Sequence, residues 1–189
     1  MKSRIAVVGS GAIGSYYGAK LACQGKRARM KAGQGEPRIE VRNAQRIVPI
    51  AIPPLQSFAR IACALAWKHK RRNSQIASLD AIFVTVISDR QMARLHERFS
   101  GLSGTTDVLT FHHGEMAISA EMACRQGREF HSTTGRELRL YILHGLLHLC
   151  GFNDHSAKQR PIMQKMQDEI LALAIRREAD ESPQRRLNA

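Results

Sequence analysis

His144, His148 and His155 fall within twelve residues of one another in the stretch LYILHGLLHLCGFNDHS (140–156), which otherwise patterns as an apolar helix running into a glycine stop. Imidazole is the commonest metal ligand among side chains, and its charge changes near neutral pH. Two histidines four apart on a helix stand about 40° from each other, one turn up on the same face, so both rings can reach one ion. Gly151 can end the helix in the left-handed conformation, and the reversal through Phe152, Asn153 and Asp154 can return His155 to the same point. Three neutral nitrogens would leave one coordination position open, the arrangement that activates water on zinc, whereas structural zinc sites are usually closed by four protein ligands.

A His-x-x-x-His pair alone is common by chance in helices, but here a third histidine, a glycine stop and Asp154 accompany it. The residue after the first histidine is Gly145, not the glutamate that serves as general base in H-E-x-x-H peptidases, which weakens a peptidase reading. Asp154, beside a ligand, could orient an imidazole as a hydrogen-bond acceptor, although a loop aspartate serves turn geometry equally well. His112 and His113 lie between two strand candidates and read as surface residues, while Cys150 packs as a small apolar group.

Several elements must position these groups. IEVRNAQ, from Ile39, alternates as a half-buried strand does. Pro53 and Pro54 open a helix with Leu55, Phe58, Ile61, Ala62, Leu65 and Ala66 on one face, closed by the cations of KHKRR at the negative end of its dipole. LDAIFVTVIS is the strongest strand, and Ser88 to Gln91 after it forms a capping box for the helix MARLHERF. DVLTF and EMAIS are further strands joined through HHG, and Thr134 to Glu137 reads as a second capping box that opens the histidine helix. Asp107 is expected to fix the entry to the DVLTF strand. Ile162, Met163, Met166, Ile170, Leu171 and Ala174 give the closing helix its apolar face, and residues 176–189 read as a frayed, disordered tail.

A length of 189 residues suits one well-filled core with short appendages. The 43% hydrophobic and 24% charged fractions are those of a soluble globular chain, and no run of eighteen apolar residues predicts a membrane span. Cys23, Cys63, Cys124 and Cys150 form no C-x-x-C pair, so neither a zinc ribbon nor a disulfide framework is expected and a reducing cytoplasm fits. The formal charge of +13 is concentrated early: residues 1–38 hold eight Lys/Arg against one acid, 39–72 seven against one, and the remainder balances. Such a block attracts polyanions by counterion release, or else serves as a solvated basic arm. Aromatics make up only 5%, so base-stacking platforms are not expected and recognition would rest on phosphate contacts and RNA shape.

The N-terminus has its own pattern. Ile5 to Val8 form an apolar strand, followed by Gly9, Gly11 and Gly14 in the G-x-G-x-x-G spacing and a helical run through Tyr17 and Leu21. The second strand and acidic residue of a complete dinucleotide unit are missing, since KRARMKAGQGEPR follows instead. The opening, to about Cys23, resembles the start of ketopantoate reductase and related Rossmann enzymes, and no further. Residues 1–38 are therefore read as a Rossmann-like remnant and basic linker, from a fusion or a misplaced start codon, with no nicotinamide cofactor expected. Glycines and Lys20 interrupt what would otherwise imitate a signal peptide.

From residue 39 onward the chain resembles another family. HGLLHLCGFNDH is similar to the H-G-x-L-H-L-x-G-Y-D-H signature of the YbeY endoribonucleases, which act in ribosomal RNA maturation. TTDVLTF, GEMAIS and SDRQMARLHERFSG resemble the other family segments in the same order, so the likeness covers some 70% of the chain, from about Ile39 to Leu173. It implies an α/β (α+β) fold with a small mixed four-stranded sheet in a domain of residues 39–175. It further implies one Zn2+ ion held by His144, His148 and His155, and cleavage of single-stranded RNA linked to the small ribosomal subunit and its assembly proteins.

The chain departs from that pattern in three places. Asn153 lengthens the last spacing by one residue, Glu115 stands for the usual Asp, and Ser100 occupies the place of an arginine before the loop glycine, leaving Arg98 two positions earlier as its imperfect substitute. The expected chemistry is metal-assisted phosphodiester hydrolysis, with Asp154 and Arg98 as the candidate catalytic side chains beside the metal ligands. A noncatalytic ribosome-assembly factor with a structural zinc is the alternative.

Overall fold

The computed structural model describes residues 6–8 and 35–181. Its elements are β1 (Ala6–Val8), β2 (Arg38–Asn43), α1 (Ile52–Lys68), a 3-10 turn (Gln75–Ser78), β3 (Ala81–Ile87), α2 (Asp89–Ser100), β4 (Val108–Phe111), β5 (Glu115–Ser119), α3 (Ala120–Glu129), α4 (Thr134–Leu149) and α5 (Arg160–Glu181). The glycine fingerprint at Gly9, Gly11 and Gly14, the helix through Tyr17 and Leu21, most of the basic block and residues 182–189 lie outside the described residues.

The expected mixed sheet of four strands is present as β4-β5-β3-β2, and β1 joins it as a short fifth strand beside β4. β2, β3 and β5 run parallel, and β4 is antiparallel to β5. The parallel pair β2 and β3 needs a crossover, which α1 supplies, whereas the short HHG connection allows only the antiparallel hairpin β4-β5. Edge strand β2 has its backbone engaged by Gln56 of α1, which accepts from the Val41 N–H at 2.8 Å and donates to the Ile39 carbonyl at 2.8 Å.

Side-chain alternation along the strands divides the interior in two. Ile82, Val84, Val86, Val108, Met116 and Ile118 face the main core with α1, α4 and α5, while Leu109, Phe111 and Ala117 face the smaller cluster with Met92, Leu95 and Phe99 of α2. All six α1 residues predicted for the apolar face are buried. α4 is enclosed almost all round, with Leu138, Tyr141, Ile142, Leu143, Leu146, Leu147 and Leu149 buried, as a helix apolar on every side must be.

The reciprocal box of Ser88 and Gln91 forms as expected at the start of α2. The second does not: the N-cap of α4 is Thr133, whose hydroxyl accepts from the Arg136 N–H at 3.1 Å. This shifts Glu137 one position too deep to reach back to the cap backbone. Two further differences concern helices. No pattern above predicts α3, which Ser119 caps directly out of β5, and α5 continues to Glu181 instead of fraying after Arg176. Arg139 of α4 holds that last part of α5 through a paired contact to Glu178, at 3.0 and 2.7 Å.

Candidate metal centre

The last two turns of α4 carry His144 and His148 among buried leucines. The helix ends in a Schellman arrangement: the Gly151 N–H donates to the His148 carbonyl and the Phe152 N–H to the Leu147 carbonyl, with Gly151 at φ +89°. This reversal turns the Phe152 carbonyl back toward the helix, where it lies 3.2 Å from His148 Nδ1. On the other ring, His144 Nδ1 lies 2.7 Å from Gln167 Oε1 of α5.

A carbonyl oxygen can only accept, so both Nδ1 atoms must donate, and in the neutral rings both Nε2 atoms carry lone pairs. Those two Nε2 atoms face each other at 2.9 Å. Asp154 completes the group, its carboxylate 3.9 Å from each Nε2. Two lone pairs and an anion turned on one point repel unless a cation stands among them. The donor set of two imidazoles and one carboxylate, with ligand atoms within 4.8 Å of one another, therefore fits a metal ion.

Electrostatics agree with that geometry. Burial holds both imidazoles below their ordinary range. His148 is pushed down to about 4, with the neighbouring His144 adding to the effect, whereas the Gln167 contact and the nearby carboxylates Asp107 and Asp154 oppose the shift at His144. Neutral rings at physiological pH are what a metal requires of histidine. Asp107 is buried beneath the site and its carboxyl is raised by burial, although it accepts from the Val108 N–H at 2.9 Å and the Thr106 hydroxyl at 3.1 Å. It thus fixes the entry to β4, as expected.

The groups brought together are His144, His148 and Asp154. His155 stays at the rim, its side chain 62% exposed and its Nδ1 4.0 Å from Asp154 Oδ1. Asn153 fixes this longer turn, its side chain accepting the His155 backbone N–H at 2.8 Å. Arg98 is exposed at the end of α2 and lies over the Phe99 ring at 5.8 Å, with no polar contact to the cluster. His113 pairs with Glu115 at 3.1 Å on the surface, and the buried Cys150 thiol, pushed up to about 12 by desolvation, behaves as an apolar group.

Gln167 was not among the sequence candidates. Its signal was a polar residue on the buried stripe of α5, four positions after Met163, where an apolar side chain would otherwise be expected. The orienting role of the Phe152 carbonyl leaves no trace in residue type at all.

Comparison with known proteins places these features in a family. Residues 40–174 match the family model described as Endoribonuclease YbeY. An Endoribonuclease YbeY of Endomicrobium trichonymphae is 31% identical over 91 residues, 45% of this chain and 64% of that relative, so the match spans just under two thirds of its length. Those of Bacteroides fragilis and of Roseiflexus sp. are 28% and 27% identical, and the matches cover 80% and 98% of their lengths and 58% and 72% of this chain. A solution structure from Thermotoga maritima superposes with a TM-score of 0.53 at 22% identity, over 77% of this chain and 97% of that one, a likeness of fold.

Proposed function

Because the chain belongs to the YbeY endoribonuclease family, we propose that it is a zinc-dependent endoribonuclease. Its substrate is single-stranded RNA, and its role is ribosomal RNA maturation and quality control with the small ribosomal subunit and its assembly proteins. The cytoplasm, where subunits are assembled, belongs to the same proposal. Among the described residues no helix is long and apolar enough to cross a membrane.

The observation that carries the metal reading is the pair of Nε2 atoms 2.9 Å apart, each left as a lone-pair donor by what its Nδ1 contacts. His144 and His148 would hold the zinc with a third donor from the adjoining Asp154 and His155 side chains. A zinc ion there supplies Lewis-acid activation of the phosphodiester and of a water nucleophile. Gln167 and the Phe152 carbonyl fix the two rings, and burial around His148 keeps competing water away. Whichever of Asp154 and His155 does not coordinate is left to take the water's proton, and Arg98 is the cation assigned to substrate phosphate.

The test is cleavage of a labelled single-stranded ribosomal RNA fragment by wild type and His148→Ala under added zinc. Cleavage by the wild type alone, with zinc lost from the variant, is the expected result. Equal cutting by both would remove the site from the chemistry, and binding without cutting by either would make the chain a noncatalytic assembly factor. Asp154→Asn and His155→Ala separate the roles of the third donor: one loses zinc, and the other keeps zinc but loses cleavage.

A further inference from the structure

The basic run after α1 takes no part in the metal centre. Lys68, His69, Lys70, Arg71 and Arg72 are all exposed, and among the described residues none of them forms an ion pair. Glu36 stands near Lys68, and Lys70 lies over the Trp67 ring at 4.0 Å. The run sits where α1 and α4 both end, so two helix dipoles contribute roughly half a negative charge each. Four formal positive charges exceed what those dipoles and Glu36 neutralise.

Arg71 ties this run to the metal loop at three points. Its backbone N–H donates to the Cys150 carbonyl at 2.9 Å, its guanidinium lies 4.6 Å from the centroid of the Phe152 ring, and its Cβ packs against Gly151. Gly151 and Phe152 are the residues that turn the loop from His148 to Asp154, and the Phe152 carbonyl orients His148. The cations are thus mounted on the same short segment that positions the metal ligands.

We propose that the Lys68–Arg72 turn is a phosphate-gripping arm of the RNA site, holding the substrate's backbone beside the point of cleavage through Lys70, Arg71 and Arg72. This rests on the RNA reading given above. An arm of this kind binds without reading sequence, since phosphates carry no base information. Stacking leaves the Arg71 guanidinium edge free for two hydrogen bonds to one phosphate, whereas Lys70 and Arg72 add charge along the strand.

The experiment compares the full chain with Lys70→Gln/Arg71→Gln/Arg72→Gln and with a control, Arg176→Gln/Arg177→Gln, at exposed positions near the far end of α5. A labelled 20-nucleotide single-stranded RNA is the probe. Binding is followed across salt concentrations, with zinc retained in one arm and removed by EDTA in another, and cleavage kinetics are measured in parallel. The slope of log affinity against log salt is expected to become shallower by about 2 in the triple variant, at roughly 0.7 per phosphate contact on a single strand. The control should keep its slope, and KM should rise in the triple variant while kcat stays near wild type.

An unchanged slope would overturn the arm while leaving the ribonuclease reading intact. A wild type that neither binds nor cuts the probe would remove both. Should the triple variant melt at a lower temperature, Lys70→Gln/Arg72→Gln, which leaves the Phe152 contact in place, is read instead, with an expected slope change of about 1.4.

Discussion

One small residue decides how close the site can be built to the sheet. A Cβ on Gly145 would stand 2.6 Å from Met116 Sδ and 2.8 Å from Thr110 Oγ1, so α4 lies against β4 and β5 at a distance only glycine permits. Thr110 Oγ1 is fully buried, with no hydrogen-bond partner among the described residues, so a methyl group there would press on an atom that cannot move out to solvent. Gly145→Ala is therefore expected to cost about 1–3 kcal/mol by overpacking, read as a lower urea midpoint. Because the strain acts between His144 and the sheet, zinc affinity should fall as well. Gln167→Leu provides the complementary case: it keeps the volume but leaves His144 Nδ1 without its acceptor. About 10- to 100-fold weaker zinc binding with nearly unchanged folding is expected, measured by competition with a chromogenic chelator.

At the scale of elements, the end of α4 does more than stop a helix. Gly151 sits at φ +89°, with Arg71 Cβ 3.3 Å from where its own Cβ would be. Gly151→Ala should destabilise by about 1 kcal/mol or more through the left-handed backbone alone. It should also turn the Phe152 carbonyl away from His148, so zinc binding falls further than in a surface variant of equal stability. This part of the site was legible in the sequence, because two histidines one turn apart and a following glycine obey local rules of helix geometry. The place of the third donor was not legible: Asn153 lengthens the turn by one residue, and with its side chain bonded to the His155 backbone N–H the Asp154 carboxylate lies nearer the rings and His155 at the rim. Likewise the one-residue shift of the cap from Thr134 to Thr133 goes with the tight turn out of α3, in which the Ser132 N–H donates to the Gly127 carbonyl at 2.7 Å. The strands β2 to β5 could be foreseen from their alternation and short connections, whereas α3, only ten residues long and polar on average, offered too weak a period.

For the whole molecule, the site is a charge-sensitive defect in a well-packed core. In the metal-free protein His148 is held neutral, its pKa lowered from an ordinary 6.5 to about 4 by burial first and by His144 second. The unfolded chain therefore binds a proton between these values that the folded chain refuses, and the favourable state is the one present above pH 6.5. Stability should fall as pH drops from about 6.5 toward 4, by a full amount of roughly 3 kcal/mol from this one side chain. The raised carboxyl of Asp107 works with the opposite sign, so the total curve alone does not isolate the histidine. The difference between wild type and His148→Phe reports position 148 together with its coupling to His144, because both retain Asp107 and the variant has nothing to protonate at position 148. Thermal melts in EDTA across this pH range should show the wild type losing more stability than the variant, and a parallel decline in the two would assign the acid sensitivity elsewhere. With zinc at about 100 times its dissociation constant, wild type should gain roughly 2.7 kcal/mol near neutral pH. That gain should vanish on acidification, since the ion and the protons compete for the same two nitrogens.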